Sequence, residues 1–534
     1  MKAKEQNITQ AATLLLVSTI LVKLIGALFK IPLSADYALG DLGFGYFSVA
    51  YDLYVPIYML ALSGFPVAIS RMVADYTAKN RFEDANRVYL VSMKTMLVLG
   101  FVGTIAMLLL SIPLVMLTDK SGQSIYSLWA IAPSILCCAA MSVYRGYFEG
   151  LKNMIPTAVS SIIEALGKLI LGLSMAIVII KITNIPAFAA AGAMLGITLG
   201  TLFSCVYLAI VHKRKKLVYT KSVEGELSTK SLLRELAKFT LPVAIASLAV
   251  SFTSLIDSFT LRATLGTIIS NSKENVSILL KDTLYTSEAF DEIPTLIYGI
   301  KSKAHTLFNL VPSLTTALGV GALPIVTECF VKKNKIDLKK NINLIIKFAS
   351  LISFPAAAGF IAVGKNIMNM FYGDVSCVLG GKILAIYGVA ALFAGLSVPI
   401  TALLQSVEKQ NQALLNITVG LAVKLVCNIF LARIAVVNVY GAVFGTALCF
   451  VVIFTLHIII LVKTIGFMPN VLEVFLKPFF AAFSCGITAY FVVSWVSSSV
   501  NIVISIALAA VVYLVMLCVL KAIKKEEIAE ILKK

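Results

Sequence analysis

From residue 11 to residue 521 the chain alternates long apolar runs with short polar breaks. The runs are 18 residues or more, each long enough to cross a hydrocarbon core of about 30 Å as a helix. They predict an all-α polytopic membrane protein with fourteen transmembrane helices, at about 11–31, 44–70, 88–117, 126–150, 155–180, 186–211, 238–262, 304–329, 342–363, 382–406, 411–436, 438–462, 472–497 and 500–521. The opening MKAKEQNITQ is charged and polar. The apolar segment after it lacks a small-residue cleavage site and runs to Ile31, so it reads as the first span and not as a cleavable signal. Gly64–Pro66, Pro312, Pro324 and Pro355 interrupt the apolar runs. Such breaks are tolerated where neighbours or water satisfy the freed backbone groups, and in transporters they mark moving helices; ordinary kinking is the other reading.

Composition agrees. Of 534 residues 59% are hydrophobic and 13% charged, and the mean hydropathy is +0.94; a soluble protein of this size needs far more polar surface. The net charge of +18 suggests nucleic acid only until the charges are placed. HKRKK at 212–216, KKNKIDLKK at 332–340 and the tail AIKKEEIAEILKK carry most of the charge on one side. The opposite loops hold few basic residues, among them Lys120, Lys181, Lys273, Lys281 and Arg433. That asymmetry predicts cytoplasmic N- and C-termini and no nucleic-acid partner. The nine cysteines form no CxxC pair, and His212, His305 and His457 are far apart in sequence. Neither a disulfide or zinc framework nor a His-based catalytic site is expected.

Lysines at mid-depth change the picture. Lys23 in the first span, Lys168 in the fifth and Lys424 in the eleventh cannot easily reach an interface, and Lys30 lies toward the outer end of the first. Each central lysine costs about 2.5–3.5 kcal/mol on insertion, so such residues face a water-filled cavity or a partner. Glu164 and Lys168 share one helical face a turn apart. They read either as an ion pair bracing two helices or as part of a charged cavity. Lys23 and Lys30, seven apart, share a face with Gly26 between them. The acids are fewer: Glu164, Asp52 in the second span and Asp257 in the seventh. A chamber of that sign suits an anionic substrate.

The spans repeat in order. Lys168 and Lys424 both lie mid-span in helices that follow a short polar turn, GLKNMIP and SVEKQNQ. YMLALSGFPVAIS at 58–70 resembles LTTALGVGALPIV at 314–326 at nearly the same offset. Two parallel six-helix repeats follow, related by a pseudo-twofold along the membrane normal. The expected division is an N-lobe at 1–212, a cytoplasmic linker at 213–237, a C-lobe at 238–465, and two further helices with a cytoplasmic tail at 466–534.

Three stretches carry a family resemblance: LSGFPVAISRMVADYTAKN (62–80), YRGYFEGLKNMIPTAVSSIIEALGKL (144–169) and YGIKSKAHTLFNLVPSLTTALGVGALPIVTE (298–328). They resemble the stage V sporulation protein B-like and MurJ-type lipid II flippases of the multidrug/oligosaccharidyl-lipid/polysaccharide exporter superfamily. The resemblance covers essentially the whole chain. It implies two lobes forming a V around a central cavity in a bacterial plasma membrane protein. It also implies a partner in an undecaprenyl-pyrophosphate-linked saccharide carried from the inner to the outer leaflet. Family members place basic residues where this chain has Lys23, Lys30, Lys168 and Lys303, facing the cavity. Several relatives use arginine there; lysine offers a point charge in place of a bidentate fork. Lys424, Glu164 and Arg262 join the candidate substrate contacts, Arg262 as the weaker candidate that reads first as an interfacial snorkelling residue. Helices thirteen and fourteen resemble the pair that shapes a groove for the polyprenyl tail. No cofactor is implied, but sodium or proton coupling is, with Asp257, Asn428 and Thr446 as candidate sodium ligands. A monomer among membrane lipids is expected.

Two other classes compete. A multidrug cation antiporter of the same superfamily shares the fold but calls for an acidic cavity. A membrane-embedded glycosyltransferase needs catalytic carboxylates on a sizeable external loop. The 263–300 loop offers only Glu274, Asp282, Glu288, Asp291 and Glu292 in a solvated setting. The expectation is a flippase and not an enzyme.

Overall fold

In hydrocarbon every backbone N–H and C=O must be satisfied within its own segment, which favours the helix. The computed structural model describes residues 8–116, 121–214, 229–271, 275–285, 290–495 and 501–522, and all regular structure among them is helical. The first half runs α1 (Ile8–Leu33), α2 (Gly40–Met59), α3 (Phe65–Ala78), α4 (Phe82–Met116), α5 (Ser124–Ile131), α6 (Ser134–Gly150), α7 (Ile155–Gly167), α8 (Leu173–Thr183) and α9 (Pro186–Arg214). The second half runs α10 (Thr229–Asn271), α11 (Asn275–Leu280), α12 (Ile293–Phe308), α13 (Leu310–Val331), α14 (Lys335–Tyr372), α15 (Cys377–Ser406), α16 (Gln410–Phe430), α17 (Asn438–Ile465), α18 (Lys477–Trp495) and α19 (Asn501–Val519).

Among the described residues, 11 helical stretches are long and apolar enough to cross a membrane. Helices α1, α10 and the pair α12–α13 lie where the first, seventh and eighth spans are expected. The eighth differs in form: it begins earlier, at Ile293, and is two helices meeting at Asn309.

Two compact units emerge, one within Met1–Ala263 and Ala289–Gly299, the other within Thr264–Glu288 and Ile300–Lys534. In the first, the α5–α6 stretch is the most buried of the candidate spans among the described residues, while α4 exposes Leu97, Val98, Phe101 and Leu109. Apolar side chains exposed along a spanning helix are what lipid contact requires. In the second, α15 is the buried centre.

The expected proline break at Pro355 has a visible compensation. Proline has no N–H to give the carbonyl four residues back. That carbonyl, on Leu351, accepts the Tyr513 hydroxyl from α19 at 2.9 Å. The helix runs on, and its one non-helical residue is Val363.

Candidate functional site

The first unit places a buried carboxylate between two cations. Glu164 on α7 is almost fully buried. Its Oε1 accepts from Lys168 Nζ at 2.7 Å and from the Tyr58 hydroxyl at 2.8 Å. Its Oε2 accepts from Arg145 Nη2 at 3.1 Å. Arg145, on the buried helix α6, is tied down further by its Nε, which donates to Ser160 Oγ at 3.0 Å. Lys168 is the more accessible cation, its side chain 20% exposed against 10% for Arg145. A buried charge is tolerated when paired and hydrogen-bonded, and Glu164 meets both conditions twice over. Lys168–Glu164 is an ion pair within one helical run, and the pair that joins two helices is Arg145–Glu164, which compensates the carboxylate alongside Lys168.

Local winding sets these side chains. Lys168 opens a π-helical turn, Lys168–Gly172, and Tyr58 stands just before another, Leu60–Gly64. Wide turns of this kind are frequent where α-helices carry functional sites. The Lys168 turn is pressed onto α9 backbone to backbone. A Cβ on Gly167 would lie 2.4 Å from Gly200 Cα, and one on Gly196 would lie 2.3 Å from Gly172 N. Only glycine permits that approach.

Lys30 and Lys168 both rest on one aromatic face. Phe44, Phe47, Tyr51, Tyr54 and Tyr58 follow the three–four spacing of a single face of α2, with successive ring centroids 5.6 to 6.5 Å apart. Lys30 Nζ lies 4.2 Å from the Tyr51 centroid and Lys168 Nζ 5.1 Å from that of Tyr58, a cation–π geometry. Lys23 lies two turns before Lys30 on α1 and is half-buried. A second polar group forms where Asp52 accepts from the Tyr298 hydroxyl and the Arg262 guanidinium stands 5.9 Å from the Tyr298 ring. Arg262 and Asp257 are both buried on α10; a snorkelling Arg262 does not describe this packing.

In the second unit, Lys303 is buried on α12 with Nζ 5.3 Å from the Tyr372 ring. Lys424 and Asn428 are buried one turn apart on α16, and Thr446 is buried on α17. The Thr446 hydroxyl donates to the Ala442 carbonyl at 3.0 Å. Asn428 Oδ1 faces α17, 3.1 Å from where a Cβ on Gly445 would stand. Asp257 belongs to the first unit. An apolar groove of about 650 Å³ opens beside α14 and α18, lined by Phe354, Ile361, Phe479, Phe483, Ile487 and Phe491.

Arg145 and the α2 tyrosines are absent from the sequence-level candidates. Arg145 lies near a helix end in YRGYFEG, where a basic residue reads as interfacial, and the aromatic spacing reads as an ordinary core stripe.

A family model described as polysaccharide biosynthesis protein matches residues 8–330. The chain belongs to that family. With it comes membership of the multidrug/oligosaccharidyl-lipid/polysaccharide exporter superfamily of membrane transporters. A second model, MatE, matches residues 300–430. The lipid II flippase MurJ of Bacillus subtilis (strain 168) is 26% identical over 477 residues, 86% of this chain and 83% of that protein. Stage V sporulation protein B of the same organism is 24% identical over 543 residues, 99% of this chain and 98% of its own. Among solved structures, a lipid II flippase MurJ in an inward closed conformation shares the fold. Its TM-score is 0.67 at 14% identity, over 94% of this chain and 97% of that one. The MurJ relatives of this polysaccharide biosynthesis family member are flippases, not enzymes.

Proposed function

We propose that the protein is a flippase. It moves an undecaprenyl-pyrophosphate-linked saccharide, lipid II or a related cell-wall or polysaccharide precursor, from the inner to the outer leaflet by alternating access. The observation that carries this reading is the division of labour around Glu164. Lys168 can leave the carboxylate for a diphosphate without orphaning it, because Arg145 and Tyr58 stay bonded to it. Breaking a buried pair normally costs about 3–5 kcal/mol; here a third partner removes most of that penalty. Lys23, Lys30, Lys303, Lys424 and Arg262 supply the remaining positive charge toward the substrate. The apolar groove beside α18 takes the polyprenyl tail.

In this reading two six-helix lobes, 1–212 and 238–465, rock about the substrate in the bacterial plasma membrane, with both termini cytoplasmic and the protein monomeric. Sodium or proton coupling runs through Asp257, Asn428 and Thr446; transport indifferent to sodium together with a silent Asp257→Asn would remove it. The MatE match over 300–430 favours a second reading, a multidrug cation antiporter. Two cations around one carboxylate weigh against it, since a cation exporter needs the opposite sign. Depletion in the native host decides between them: accumulation of a lipid-linked saccharide supports the flippase, and unchanged lipid intermediates with raised drug sensitivity support the antiporter.

A further inference from the structure

The aromatic face of α2 offers more than packing. Phe44, Phe47 and Tyr54 are buried, whereas Tyr51 and Tyr58 are each partly exposed. These two rings are seven residues apart within one α-helix, about 10 Å along its axis, room for two linked pyranose rings. Each carries an ammonium group over its face, Lys30 on Tyr51 and Lys168 on Tyr58. A tyrosine face is electron-rich and takes either a cation or the polarised C–H edge of another ring. It cannot take both at once. An anionic group that draws the two lysines away therefore uncovers both faces in the same event.

We propose that Tyr51 and Tyr58 form the saccharide platform of the substrate site, covered by Lys30 and Lys168 until a diphosphate draws them off. This rests on the flippase reading above and adds what holds the sugar. The lysines recognise the diphosphate; the tyrosine faces then stack on the pyranose rings attached to it. Charge recognition comes first and ring recognition follows. A lipid diphosphate without sugar engages the lysines alone, and a neutral glycolipid meets covered rings.

Two probes test this on the purified full-length protein in detergent: farnesyl diphosphate, and farnesyl diphosphate carrying one N-acetylglucosamine on its terminal phosphate. The wild type binds the sugar-bearing probe more tightly. Tyr51→Leu binds it about 3- to 10-fold more weakly, while its affinity for bare farnesyl diphosphate is unchanged or higher, because Lys30 no longer leaves a ring to bind. Tyr51→Phe keeps the face and behaves as wild type. Lys30→Gln weakens both probes. Bare-diphosphate binding by Tyr51→Leu also reports that the variant is folded. Equal weakening of both probes by Tyr51→Leu, or no loss for the sugar-bearing probe, overturns the platform while leaving the flippase reading intact. A wild type that binds neither probe removes the flippase reading, and the platform with it.

Discussion

Arg145 Nη2 and Glu164 Oε2 meet at 3.1 Å across α6 and α7, both side chains nearly buried. Arg145 is also tied to Ser160, whereas Lys168 is the more exposed of the two cations; in the proposed function Arg145 is the anchor and Lys168 the partner that moves.

Removing the anchor should therefore cost more than removing the movable cation. Arg145→Met should destabilise the protein more than loss of Lys168, because Ser160 loses its donor as well, but by less than the about 3–5 kcal/mol of a fully broken buried pair, since Lys168 and Tyr58 stay bonded to Glu164. Adding Glu164→Gln should restore much of that loss but not transport. Thermal unfolding of single and double variants in detergent measures the coupling. Additive effects would mean that the two side chains do not share an environment.

Charge at the lysines, and not bulk, should matter for transport. Lys168→Gln should change stability by only about 1 kcal/mol and abolish flipping, as should Lys23→Gln, while arginine at either position retains much activity. Complementation of a flippase-deficient strain, with membrane abundance checked in parallel, reads this out. Full complementation by the double glutamine variant would return these lysines to a structural role.

The glycine seam between α7 and α9 should tolerate no side chain. Gly200→Leu would force the helices apart where the backbones touch, at a cost of about 1–3 kcal/mol or more. It should also withdraw Glu164 from Arg145. Thermal stability and complementation should both fall; a silent Gly200→Leu would show that the close approach is dispensable.

Outside the spans, Asp282 clips its segment to the second unit. It accepts from Lys382 Nζ at 2.8 Å and from the Tyr440 hydroxyl at 2.9 Å. The segment's backbone is bonded as well, Leu284 N to Val375 O and Leu379 N to Asp282 O. Partial burial opposes the charged form, but the bonds from Lys382 and Tyr440 outweigh it and hold the Asp282 carboxyl below the usual carboxylate range. A depressed folded value means the contribution is complete above the unfolded value near 4 and is lost as pH falls through the folded one. The clip should hold at neutral pH and open only in stronger acid. Lys382→Met should open it at neutral pH, worth up to about 1 kcal/mol, raising amide exchange at Leu284 and Leu379. Unchanged exchange in that variant would show that the backbone bonds suffice alone.

How much was legible beforehand follows from the range of each interaction. Glu164 and Lys168 are four residues apart on one helix, so their meeting follows from helical periodicity. Lys23 and Lys30 likewise share a face by spacing alone. Arg145 is 19 residues from Glu164 across a turn. No periodicity links them, and its place near a helix end imitates an interfacial cation. Nor does spacing separate a tyrosine stripe that packs from one that carries lysines, since Lys30 and Lys168 reach it from two other helices.

By itself the sequence determined that this is a helical, many-spanning membrane protein with cations at mid-depth. The cost of placing polar groups in hydrocarbon makes run length and charge position sufficient for that much. Only the tertiary structure decided that α7 lies against α9 through bare backbone, that Glu164 is held by two cations at once, and that the lysines rest on tyrosine faces. Those are contacts between separate helices, set by which surfaces interlock when the helices pack, and hydrophobic patterning within a single helix does not encode its neighbour's register.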